Sequence, residues 1–266
     1  MPFATNPIDG EPIFYEDDGG AGRPVVVLGG FLDPIELGRR APLVRALATE
    51  DLRFVFVDHR GHGASGKPHD ADAYAMPVRV ADVVAVLDAA EIERAHVVGL
   101  SWGGRLALGI GEHASARARS LVVVGQQAYA MDPDGPLARV VAGALGGPGP
   151  PTIEPLIESF EAIAGRYPPE VRELYLASDA AAMRAASLAV MTEGAVSDRL
   201  REWSLPVLFC MAAGDADFFE QAKRAAEEIP DAEFMVVEDT DHLGMDTADA
   251  QPALEAVLRT FRRGDA

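Results

Sequence analysis

Six short runs along the chain are almost wholly apolar: residues 25–28, 53–57, 95–98, 121–124, 206–211 and 233–237. Continuous apolar runs suit strands covered on both faces, whereas alternation would mark a sheet with one face in water. Between them the apolar positions recur at helical spacing. Leu43 and Leu47 do so in residues 37–48, and Val80, Val83, Val84 and Leu87 do so in 78–90. Residues 102–113, 218–229 and 251–261 complete the set. Strand alternating with helix predicts an α/β fold, mainly parallel, with helices on both faces of the sheet. Such sheets bind ligands beyond the carboxyl ends of their strands, which is where glycines and polar residues gather in this chain.

The alternation stops between residues 126 and 203. No clear apolar strand falls there, and Gly146-Gly147-Pro148-Gly149-Pro150-Pro151 and Pro168-Pro169 break the stretch into helical pieces at 136–145, 153–164, 169–177 and 179–191. The expected organisation is a core domain of residues 1–125 and 204–266 with a helical cap, or lid, inserted at 126–203 and lying over the sheet. A lateral helical layer with no lid role is the other arrangement this pattern permits.

Composition narrows the function classes. A chain of 266 residues with 48% hydrophobic side chains can bury a sizeable core. No apolar run approaches the ~20 residues that cross a bilayer, and residues 1–15 lack a basic leader followed by an apolar stretch. The formal charge is −19, from 23 basic and 42 acidic side chains. That surface repels phosphate backbones and anionic lipid, so neither nucleic acid nor a membrane is an expected partner. The lone Cys210 lies in an apolar run and reads as an inert core thiol. A cytoplasmic protein, monomeric or homodimeric, is expected.

The chemistry starts at Gly99-Leu100-Ser101-Trp102-Gly103, a G-x-S-x-G sequence that follows a predicted strand and opens a predicted helix. A serine on a sharp, strained turn projects its hydroxyl into the cleft, and small residues on either side leave room for that turn. The helix behind it points N-terminal amides at the same place, where they favour the negative charge of an attacked carbonyl. A serine hydroxyl is a weak nucleophile and needs a base. Of the six histidines, His96 lies in a strand, His113 ends a helix and His69 sits in a charged loop. His59 and His62 belong to the loop Asp58-His59-Arg60-Gly61-His62-Gly63-Ala64-Ser65 and precede the serine. His242 follows the last strand, as a base facing Ser101 requires, and the order serine, acid, histidine fits. The acid is expected in the loop after residues 206–211, where Asp217 and Asp215 compete. Asp217 is favoured, because it lies past Gly214 and Phe218-Phe219 behind it can shield a carboxylate. The carboxylate that loses is expected to serve a turn or a helix cap.

An oxyanion hole needs two backbone amides. Trp102 supplies one, and Gly29-Gly30-Phe31-Leu32 after an early strand supplies the other, with Phe31 as the donor. Gly30, Leu32, Leu137, Val141, Leu145, Met183, Phe218 and Leu243 are the expected substrate-binding residues. His59 and His62 lack a third ligand at metal spacing, so no metal site is expected. Gly103-Gly104 and Gly146-Gly147 fit neither nucleotide-binding fingerprint, and no cofactor is expected.

Taken together, the Gly29-Gly30-Phe31 loop, Asp58 to Ser65, Gly99 to Gly103, Gly214 to Asp217 and Asp241-His242 resemble the α/β-hydrolase superfamily across nearly the whole chain. They look most like its lid-bearing branch of serine carboxylesterases, lactonases and cofactor-free perhydrolases. That resemblance implies an α/β-hydrolase fold, with a lid covering the acyl pocket. The usual His-Gly of the oxyanion loop is Gly29-Gly30 here, which removes a bracing side chain but not the Phe31 amide. Haloalkane dehalogenases and epoxide hydrolases of similar outline carry aspartate where this chain has Ser101. The expected activity is hydrolysis of small, mostly apolar carboxylic esters through an acyl-enzyme. Lactone or carbon–carbon bond hydrolysis with the same three residues, or non-catalytic binding of a small ligand, are the alternatives.

Overall fold

The computed structural model describes residues 2–246 and 250–266. One eight-stranded sheet runs through it in the order β1-β2-β4-β3-β5-β6-β7-β8. The six apolar runs become its parallel part: β3 (Arg23–Leu28), β4 (Leu52–Val57), β5 (Ala95–Leu100), β6 (Ala118–Val124), β7 (Val207–Ala212) and β8 (Ala232–Val237). The sequence pattern missed β1 (Phe3–Thr5) and β2 (Pro12–Asp17), an antiparallel pair in which Phe3 faces Phe14. They form one end of the sheet, β1 at its edge, and bury only alternate residues, so they lack the unbroken apolar signature.

Helices cover both faces. On one side α3 (Met76–Ala89), α4 (Trp102–His113) and α9 (Phe219–Glu228) close a core around Val26, Val97, Val123 and Phe209. On the other, α1 (Ile35–Gly38), α2 (Pro42–Leu47) and α10 (Gln251–Asp265) close a second core around Val27, Val98, Val122 and Phe261. The helix expected over 37–48 is split into α1 and α2. Pro42 holds the preceding Ala41 in an extended conformation, φ −54° and ψ 131°, so the helix restarts there.

Between β6 and β7 lie the four expected helical pieces: α5 (Pro136–Leu145), α6 (Glu154–Ala164), α7 (Pro169–Leu176) and α8 (Ala180–Thr192). They bury a third apolar cluster of their own, centred on Leu145, Leu156, Ile157 and Met183. Among the described residues no helix is long and apolar enough to cross a membrane.

Candidate active site

The loops at the carboxyl ends of β3, β5, β6, β7 and β8 converge on one cavity of about 140 Å³. At the end of β5, Ser101 is held at φ 47° and ψ −110°, a conformation that side-chain-bearing residues seldom adopt. The turn is possible because of its glycines. A Cβ on Gly99 would lie 2.3 Å from the Gly103 carbonyl oxygen, and one on Gly103 would lie 2.2 Å from that of Leu28. The Ser101 amide donates to the Val124 carbonyl at 2.7 Å, which locks the turn to the end of β6.

The Ser101 Oγ lies 2.9 Å from His242 Nε2. On the far side of the ring, His242 Nδ1 lies 2.8 Å from Asp215 Oδ2. The two loops that carry these residues are tied together where the Gly214 amide donates to the Thr240 carbonyl at 2.9 Å. A Cβ at Gly214 would approach that oxygen to 2.9 Å, and one at Gly125 would meet the His242 ring at 3.3 Å. The Phe218 ring packs edge-on against His242, with centroids 5.1 Å apart.

The preference for Asp217 as the acid is therefore corrected to Asp215. The Asp215 side chain is fully buried, and its Oδ1 accepts the amides of Asp217 and Phe218 at 3.2 and 3.0 Å. Those bonds leave Oδ2 aimed at the imidazole. Residue 217 stands beyond that turn and points elsewhere. Its Oδ1 accepts the Leu137 amide at 3.3 Å, in the first turn of α5. Burial raises the Asp217 carboxyl above its ordinary range, partly offset by that amide. Both aspartates thus serve turns or helix starts, and distance alone separated them.

The loop after β3 faces Ser101. Gly30 is so close that a Cβ there would lie 3.8 Å from the Ser101 Cβ. The Phe31 and Trp102 amides donate to no protein acceptor among the described residues. Two side chains brace this loop in place of the absent His-Gly imidazole. Asp33 Oδ2 accepts the Gly30 amide at 2.9 Å, and its Oδ1 accepts the Tyr175 hydroxyl of α7 at 3.1 Å. His59 Nε2 lies 2.9 Å from the Gly29 carbonyl, with burial lowering its pKa to about 4. Sequence reading missed both roles. An aspartate three residues after Gly30 was a usable signal, since Asx side chains close such turns; the long reach of His59 left none.

His62, buried beside Trp102 and Phe31, is pushed down to about 3. Behind Trp102, the guanidinium of Arg79 sits 5.4 Å from the indole. Arg79 and Arg105, both buried, share the carboxylate of Glu193 at 2.9 and 3.0 Å. Burial lowers the pKa of both guanidiniums.

Of the expected substrate-binding residues, Gly30, Leu137, Val141, Phe218 and Leu243 line the cavity, as do Phe31 and Trp102. Leu32, Leu145 and Met183 do not. They are buried in the apolar cluster of the insertion, because that cluster must fill its own interior before it can present a wall to a ligand. Phe160, Tyr167 and Tyr175 add to the wall from α6 and α7 and the segment between them. Cys210 also reaches the wall, its thiol pushed up to about 12 by burial. No group of His, Cys, Asp and Glu able to hold a metal ion occurs among the described residues.

Comparison with known proteins agrees with this fold. Residues 25–254 match the model of the alpha/beta hydrolase family. A stretch of 108 residues, 41% of the chain, is 37% identical to 38% of 2-hydroxymuconate semialdehyde hydrolase from Pseudomonas sp. (strain CF600). The chain spans less than half the length of the curated relatives it matches. In overall shape it is similar to the enol-lactonase from Burkholderia xenovorans LB400, with a TM-score of 0.80 at 20% identity over 98% of this chain and 100% of that one. It is also similar to an esterase from Exiguobacterium antarcticum, with a TM-score of 0.78 at 20% identity over 98% of both chains. At that identity the two structures speak for the fold alone. The eight-stranded sheet, the serine-bearing turn and the family match together place this chain in the alpha/beta hydrolase family.

Proposed function

We propose that this protein is a serine hydrolase that cleaves carboxylic esters of small, mostly apolar substrates through an acyl-enzyme. The observation that carries the reading is the continuous relay from Ser101 Oγ to His242 Nε2 at 2.9 Å and from His242 Nδ1 to Asp215 at 2.8 Å, on a serine held in strained backbone. Ser101 attacks the ester carbonyl as His242 takes its proton, and Asp215 stabilises the imidazolium and fixes the ring. The Phe31 and Trp102 amides receive the oxyanion. His242 then protonates the leaving alcohol and activates water against the acyl-enzyme. The helical insertion acts as a cap in this scheme, with Leu137, Val141 and Phe160 shaping an apolar wall for the acyl group.

The test is labelling and kinetics on one protein. A fluorophosphonate should label Ser101, identified by peptide mass. Ser101→Ala should lower kcat/KM on aryl esters by about 10⁴ or more while the protein stays folded. Near-full activity in that variant would reject the scheme, and an unlabelled wild type would favour a binding role. Lactone or carbon–carbon bond hydrolysis by the same residues is the second reading. It is favoured by the 37% identity to 2-hydroxymuconate semialdehyde hydrolase. Lactones and vinylogous diketones in the substrate panel decide between the two.

A further inference from the structure

Gln126 is a polar residue in a cavity wall that also includes the apolar side chains of Trp102, Met131 and Leu137. It is the second residue after β6 and only 4% exposed. Its Oε1 accepts the Gln127 amide at 2.9 Å, which fixes the orientation of the carboxamide. The Nε2 end meets no acceptor among the described residues and is not sealed from solvent, and Gln126 lines the cavity, so this donor is available to a ligand there. Ser187, another polar residue of the wall, donates its proton to the Arg184 carbonyl at 3.0 Å.

The donor is held rigidly and close to the reacting groups. The Gln126 Cβ lies 3.0 Å from where a Cβ on Gly104 would stand, and a Cβ on the preceding Gly125 would lie 3.3 Å from the His242 ring. A buried cluster of charges holds the backbone behind it. Arg105 donates to the carbonyls of Gln127 and Tyr129 at 3.4 and 2.9 Å, and Arg105 and Arg79 share the single carboxylate of Glu193. A fixed, unpaired N–H at an apolar wall favours an acceptor oxygen.

We infer that Gln126 is a specificity-determining residue that binds a second carbonyl oxygen of the substrate, so that oxo-substituted carboxylic esters are preferred over plain alkanoates. This rests on the ester-hydrolase reading above. An unsubstituted acyl chain takes water away from Nε2 and returns nothing, whereas an oxo group completes its hydrogen bonding.

The experiment compares ethyl hexanoate with ethyl 3-, 4- and 5-oxohexanoate by pH-stat, each rate divided by that of its hydroxide-catalysed hydrolysis. At least one oxo ester should exceed hexanoate in kcat/KM by about tenfold or more. Gln126→Met and Gln126→Glu, which remove the donor by different chemistry, should both collapse that ratio. Equal rates across the wild-type series, or a ratio that survives both substitutions, would overturn the inference. Hydrolysis of ethyl hexanoate itself tests the ester reading separately. If no ester is turned over, calorimetric binding to Ser101→Ala decides the role of Gln126. Tighter binding of an oxo ester, lost on adding Gln126→Met, supports it, and equal binding rejects it.

Discussion

Asp215 and Asp217 share one loop, but only Asp215 reaches the imidazole, and the difference is measurable. Asp215→Asn leaves a residue of the same shape that cannot stabilise the imidazolium, and it should lower kcat by about 10⁴. Asp217→Asn should cost at least a hundredfold less, since that side chain faces the first turn of α5. Steady-state kinetics of the two variants in one assay checks this, and equal losses would contradict the geometry. Stability should move the other way at residue 217. Its carboxyl is held above the ordinary 3.8 mainly by burial, so the folded state keeps the proton to higher pH than the unfolded chain. Ionisation therefore removes stability as pH rises from 3.8 through the raised value. The melting temperature of Asp217→Asn, relative to wild type, should rise between pH 4 and pH 7.

Elements act through their loops. The loop after β3 carries a positive φ of 73° at Leu32, and Asp33 holds it by bonding both Gly30 and Tyr175 of α7. One carboxylate thus links the loop that carries Phe31 to the helical insertion. Asp33→Ala should lower kcat by about tenfold or more with a smaller change in KM, because a displaced oxyanion donor weakens the transition state more than the ground state. A change confined to KM would assign Asp33 to binding alone. The elbow behaves similarly: Gly99 is required by its approach to Gly103 within the same turn, and Gly103 by the Leu28 carbonyl, a partner that no local sequence window contains.

For the molecule as a whole, buried imidazoles set the response to acid. Burial lowers His59 and His96 to about 4 and His62 to about 3, from an ordinary 6.5. Below pH 6.5 the unfolded chain takes up protons that the folded chain refuses. Stability is therefore full above 6.5 and falls as pH drops toward 4, by up to about 1.4 kcal/mol per pH unit for each ring. Urea melts at pH 7.5, 6 and 5 should show this decline. His96→Gln should reduce the difference between pH 7.5 and 5, and an unchanged slope would remove His96 from the account.

Much of this protein was legible in the sequence. Six parallel strands, the four helices of the insertion and the positions of Ser101 and His242 at strand ends all follow from short-range signals: apolar runs, helical period and a glycine-spaced serine. The strands β1 and β2 escaped because half-buried strands dilute that signal. The sequence by itself determined which side chains stand at the ends of which strands. Tertiary structure alone decided what each one touches: Asp215 and not Asp217 against His242, Asp33 and His59 under the loop after β3, and Leu145 and Met183 in a core instead of a cavity wall. Those outcomes depend on distances between segments far apart in the chain, which residue type and local spacing do not encode.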